Sequence, residues 1–231
     1  MTARGRQIIS NQIAARALFA AGAIGSSIVS AADMVLIGLP IGGSEAQTLG
    51  LGLLEGKSPS QLRLGAFGAL PGFFLQALGF MGFVVIAQAG RLGRQIIVAL
   101  GFGLTLFVGA AWHMLYLPLA TAINIGTQSN EALQAALVGD LVFAFHLWRW
   151  LFIGSNGLLA LLIVTRSVAM PVWMVAASPY LLMEGARFAA TALPAPVGGM
   201  AFVATVNIAL FIFFVLSFLT QTAQTTPRAR T

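Results

Sequence analysis

Six apolar runs, each long enough to cross a bilayer as a helix, recur along the chain at 17–39, 62–89, 96–117, 140–164, 171–190 and 200–220. A crossing helix needs about 20 apolar residues to traverse a hydrocarbon core about 30 Å thick. The pattern predicts an all-α fold, a polytopic membrane helix bundle forming one transmembrane helical domain over residues 1–231. Some boundaries are marked locally. In Ser58-Pro59-Ser60-Gln61 the first Ser caps, Pro takes the first turn and Gln reaches back, so a helix starts there. Gly65, Gly68, Gly72, Gly79 and Gly82 let neighbours approach that helix closely. Pro118 is expected to stop the third run, and 193–199, rich in Pro and Gly, to turn the chain before the sixth.

The charges between the runs orient the bundle. Arg4, Arg6, Arg16, Arg91, Arg94, Arg166, Arg228 and Arg230 fall on one side, against Lys57, Arg63, Arg149 and Arg187 elsewhere. By the positive-inside rule both termini are cytoplasmic, in the inner or plasma membrane. Composition agrees, with 58% hydrophobic residues, 8% charged and a mean hydropathy of +0.92. The net charge of +6 lies in short basic turns that orient a chain rather than in a nucleic-acid-binding patch, so nucleic acid is not an expected partner. The expected partner is the lipid bilayer, with the oligomeric state open. Because the chain contains no cysteine, disulfides, thiolate metal sites and cysteine nucleophiles are excluded. A rival reading of the first run is a signal peptide cleaved near Ser30-Ala31-Ala32, although apolar residues continue past that point.

Within residues 139–150 Asp140, His146 and Arg149 interrupt a run otherwise fit for lipid, and ionisable groups in such places are costly and seldom idle. His146 and Arg149, three residues apart, share a helix face, with Asp140 nearly opposite. Asp33 follows Ser26 and Ser30 on one face of the first run, His113 sits beside Trp112 and Tyr116, Asn207 is the main polar group of the sixth run, and Tyr180, Glu184 and Arg187 can converge in the fifth. Counting inward at about 1.5 Å per residue puts Asp33, His113, His146, Arg149, Glu184, Arg187 and Asn207 in one layer, roughly 20 to 27 Å from the inner face. Asp140 lies near its mouth. Glu184 and Arg187 are expected to pair.

Several chemistries meet this layer. A retinal Schiff base needs a lysine inside a span, and Lys57 lies in a loop. Haem b held between His113 and His146 is an alternative that needs the two rings to face one another. A zinc hydrolase lacks the HExxH spacing. A continuous proton relay lacks acids in the inner part of the bundle. No cofactor and no catalytic or metal-binding residue is expected. The best reading is binding or transport of a small anionic or zwitterionic ligand, or a lipid head group, in an outward-facing polar pocket of Asp33, His113, Asp140, His146, Arg149, Glu184, Arg187 and Asn207. The alternative is a structural or accessory subunit in which the same layer satisfies itself.

Asp33 late in the first run, residues 58–65 opening the second, Pro171-Val172-Trp173 with Ser178-Pro179 in the fifth, and Leu193-Pro194-Ala195-Pro196 followed by Asn207 and 211–217 resemble a prokaryotic family of uncharacterised integral membrane proteins, a domain of unknown function. Ala32 and Ser178 stand where that pattern would carry Gly and Asn. The resemblance implies the membrane architecture and carries over no functional residue.

Overall fold

The computed structural model describes residues 3–86, 92–125 and 131–225, without the side chains of 3–9, 92, 94, 95, 125 and 222–225. Arg91, Arg228 and Arg230, and the side chains of Arg4, Arg6 and Arg94, lie outside what is described. The described residues form helices α1 (Ala3–Leu36), α2 (Gly43–Leu49), α3 (Pro59–Gly68), α4 (Leu70–Val85), α5 (Leu92–Ile125), α6 (Glu131–Val164), α7 (Pro179–Ala192), α8 (Val197–Val203) and α9 (Thr205–Thr225), with short 3₁₀ turns at Gly50–Leu54 and Val172–Val175. The fold is all-α. Among the described residues, four helical stretches are long and apolar enough to cross a membrane, and a fifth if α8 and α9, bent by 73°, count as one. This is the architecture of a multi-pass membrane protein.

Side-chain and backbone contacts lay out the path of the chain. The start of α1 lies at one end of the bundle, where the Arg16 guanidinium sits 4.9 Å from the Phe218 ring near the end of α9. At the other end the Gly43 amide donates to the Leu193 carbonyl at 3.1 Å, and the Gly199 amide to that of Ile41 at 2.8 Å. α3 and α4 return along α1, so closely that a Cβ on Gly22 would lie 2.9 Å from Gly79 Cα. α5 and α6 make the next pair, Thr105 Oγ1 meeting Ser155 Oγ at 3.3 Å. After α6 the chain is at the Arg16 end, where Gln221 Nε2 donates to the Ala169 carbonyl at 3.0 Å. α7 then leads back to the Gly43 end, and α8 and α9 descend again.

Among the described residues the chain thus passes six times along the bundle, but the fifth passage differs from the expected helix over 171–190. Pro171 is extended, Val172–Val175 is a 3₁₀ turn, and α-helix begins only at Pro179. The cause is local: proline has no N–H to donate and disfavours helix in the residue before it. α7 has 14 residues, about 21 Å of helix at 1.5 Å per residue, too short to cross alone. Other boundaries shift as well. The run at 62–89, whose last three residues lie outside the described part, is two helices broken at Ala69, and α5 continues through Pro118 to Ile125. Residues 30–32 lie inside α1. The cap at Ser58 forms as read: its hydroxyl accepts from the Gln61 amide, while the Gln61 side chain takes the Ser58 amide. Next to it, Lys57 Nζ donates to the Gly38 carbonyl at 2.6 Å, a cation meeting the C-terminal end of α1.

The core toward the Arg16 end is aromatic. Phe19, Phe80, Phe83, Phe102, Phe213 and Phe214 are all buried there, with Phe80 and Phe102 stacked at 3.8 Å between centroids. This cluster closes the bundle below the polar groups.

Candidate functional site

Polar side chains from four helices, with a backbone carbonyl from a fifth, meet above the phenylalanine cluster. Ser26 on α1 donates to the Gly22 carbonyl at 2.9 Å, the usual way a serine satisfies itself inside a helix. Gln76 Nε2 on α4 donates to Ser26 Oγ at 3.2 Å and to Asn207 Oδ1 on α9 at 2.7 Å. Asn207 Nδ2 in turn donates to Asp33 Oδ2 at 2.7 Å. Asp33 Oδ1 lies 3.3 Å from His113 Nδ1 on α5, and His113 Nε2 donates to the Gly65 carbonyl on α3 at 3.0 Å. The Phe73 ring and the imidazole pack edge to face, 5.8 Å between centroids. All members are buried, Asp33 at 7% exposure and Gln76 at 0%. Such a string is expensive to bury unless each group finds a partner. Two atoms do not: Gln76 Oε1 and, close by, Trp112 Nε1 are buried without a hydrogen-bond partner.

Asp33, Gln76, Trp112, His113 and Asn207 line a cavity of about 70 Å³, floored by Phe80 and Phe102. Toward the Gly43 end it adjoins a second cavity of about 460 Å³, the two sharing Ile37, Trp112, Tyr116, Trp148, Val203 and Val206. The larger cavity has apolar walls, among them Leu54, Phe145, Met183 and Phe202, and three charged residues, Arg149 on α6 with Glu184 and Arg187 on α7. Gln47, Gly50, Arg149, Glu184 and Arg187 on its lining are exposed, so it opens at the bundle surface.

The eight candidate residues therefore divide. Asp33, His113 and Asn207 come together in the buried string. Arg149, Glu184 and Arg187 share the outer cavity. Asp140 and His146 are exposed on α6 and line neither cavity. The expected Glu184–Arg187 pair is absent: the ion-pair contact among the described residues is that of His113 with Asp33, and the Arg187 guanidinium lies over the Phe202 ring at 5.6 Å. Spacing on a helix brings two side chains to one face, but a ring within reach competes for a guanidinium. Asp33 likewise turns to His113 and Asn207 instead of the arginines. Both nitrogens of His113 are engaged within the protein, and the described residues hold no group of three His, Asp or Glu side chains placed to bind a metal ion.

Sequence reading missed Gln76, the hub that joins α1, α4 and α9. A signal existed: it is the one polar side chain in α4, an otherwise apolar 16-residue helix, and a lone amide at such a place is there to be hydrogen-bonded. Comparison of the chain with protein-family models, with curated proteins and with solved structures gives no significant match.

Proposed function

We propose that this membrane protein binds a small anionic or zwitterionic amphiphile in the outer cavity. One observation carries the reading: Arg149 and Arg187, from different helices, line a single apolar-walled cavity whose lining holds one acid, Glu184. Two guanidinium forks suit a carboxylate or phosphate, Glu184 suits an ammonium beside it, and the walls suit an apolar body. Arg16 and Arg166 lie toward the opposite end, so by the positive-inside rule the cavity opens on the non-cytoplasmic side, with six crossings and both termini cytoplasmic. The phenylalanine cluster beneath favours binding over passage in this conformation. A place among the uncharacterised integral membrane proteins of the resemblance belongs to the same reading.

The experiment is a thermal-shift series on detergent-purified protein with single-chain amphiphiles of equal tail length bearing phosphate, phosphocholine, trimethylammonium or neutral sugar heads. The expected result is stabilisation by the first two alone, lost in Arg149→Gln and Arg187→Gln. A charge-assisted hydrogen bond is worth about 1.5 to 3 kcal/mol, so each substitution should weaken binding about tenfold to a hundredfold. Equal stabilisation by all four heads, or an unchanged response in both variants, would overturn the reading. A scaffold role is favoured for the inner string alone, since both oxygens of Asp33 and both nitrogens of His113 are matched internally.

A further inference from the structure

The hydrogen bonds of His113 fix how many protons it shares with Asp33. The Gly65 carbonyl can only accept, so the 3.0 Å contact from Nε2 requires a proton on that nitrogen. Nδ1 then faces Asp33 Oδ1 at 3.3 Å. A carboxylate oxygen and an unprotonated ring nitrogen are both acceptors, and their contact would be repulsive. One further proton must lie between them, either on a neutral carboxylic acid facing a neutral ring or on an imidazolium facing a carboxylate. Both descriptions have zero net charge, the least costly state inside an apolar bundle. The donation from Asn207 Nδ2 to Asp33 Oδ2 serves either one.

The surroundings hold the pair at that count. α3 offers the Gly65 carbonyl, α4 the amide of Gln76, α9 the amide of Asn207, and α5 the Tyr116 phenol, so the lining of the small cavity has no third charged group. Arg149, Glu184 and Arg187 belong to the outer cavity. Losing the proton would leave a buried negative charge with no cation beside it, and gaining a second would leave a positive one. The small cavity, about 70 Å³, is large enough for about two waters at roughly 30 Å³ each. Trp112 Nε1 lacks an acceptor there, which a water supplies.

We propose that Asp33 and His113 together form a one-proton binding site facing the small cavity: the proton arrives from water, is held in the Nδ1–Oδ1 hydrogen bond, and returns to water when the pair releases it. This inference is independent of any ligand in the outer cavity. The chain has two histidines, and His146 is exposed and outside both cavities, so His146→Gln leaves His113 as the sole imidazole signal. In that protein, ¹⁵N-labelled at histidine and held in detergent at neutral pH, Nε2 should be protonated and Nδ1 hydrogen-bonded. Adding Asp33→Asn should displace the His113 titration by about a pH unit or more, because an amide replaces the acid that shares the proton. A free Nδ1 lone pair at neutral pH, or an unchanged titration on removing the acid, overturns the proposal. If the Asp33 variant does not fold, the state of Nδ1 in the His146→Gln protein decides alone.

Discussion

Replacing Asn207 by Leu keeps roughly the volume of the side chain and removes its polarity, which makes it a clean probe of the buried string. The change deletes the 2.7 Å bond to Asp33 Oδ2 and the 2.7 Å bond from Gln76 Nε2. Interhelical hydrogen bonds in membrane proteins average about 0.6 kcal/mol and reach about 1.7, while bonds to charged groups run about 1.5 to 3. Asn207 makes one bond of each kind, so the loss should be about 2 to 3 kcal/mol. At roughly 2 to 4 °C per kcal/mol for a chain of this size, the midpoint should fall by about 5 to 10 °C. Gln76→Leu also deletes two bonds, to Ser26 and Asn207, yet it removes the buried, unpartnered Oε1 as well. Leaving such an atom unsatisfied costs about 1 to 3 kcal/mol, which offsets most of the loss, so Gln76→Leu should stay within about 1 kcal/mol of the parent. Tryptophan-monitored thermal unfolding in one detergent compares the pair directly. Equal destabilisation by the two substitutions would refute this bookkeeping and show that Gln76 Oε1 has a partner.

Other outcomes follow from single contacts. A methyl group at Gly79 would lie 2.7 Å from Gly22 Cα and from the Phe214 ring, so Gly79→Ala should cost about 1 to 3 kcal/mol by overpacking, read as a lower unfolding midpoint; no shift would mean that α1 and α4 can separate freely. Ser58→Ala removes the cap of α3 and should cost about 1 kcal/mol, whereas Ser60→Ala should be nearly neutral in the same measurement. In this cysteine-free chain a cysteine at Leu51, on the outer cavity, should react with an impermeant thiol reagent applied to intact cells, and one at Gly93 should not; the reverse pattern would invert the orientation.

Legibility in the sequence varied with the kind of force involved. The first four hydrophobic runs and the Ser58–Gln61 cap depend on neighbours in sequence, and among the described residues they appear as long apolar helices and a cap where they were expected. Depth counting set Asp33, His113 and Asn207 at one level, and they do meet, because long helices convert residue number into height with little error. What failed depended on direction or competition. Depth does not say which way a side chain points, so Asp140 and His146 ended outside both cavities, and the Phe202 ring took Arg187 from Glu184. The fifth passage was overread as helix because its apolar content outweighed Pro171 and Pro179. The bend at Ala204 between α8 and α9 carries no Pro or Gly, and no local signal announces it.

The broken fifth passage bears on the order in which the protein can be assembled. A helix satisfies its own backbone and can enter lipid alone, but residues 167–180 borrow partners: Asn156 Oδ1 on α6 accepts the Tyr180 amide at 3.1 Å, and Gln221 on α9 takes the Ala169 carbonyl. One lender precedes the segment in the chain, and the other follows it, 52 residues beyond Ala169. The bond from Gln221 to this stretch forms only when α9 is in place, so the stretch and α9 settle into the bundle together.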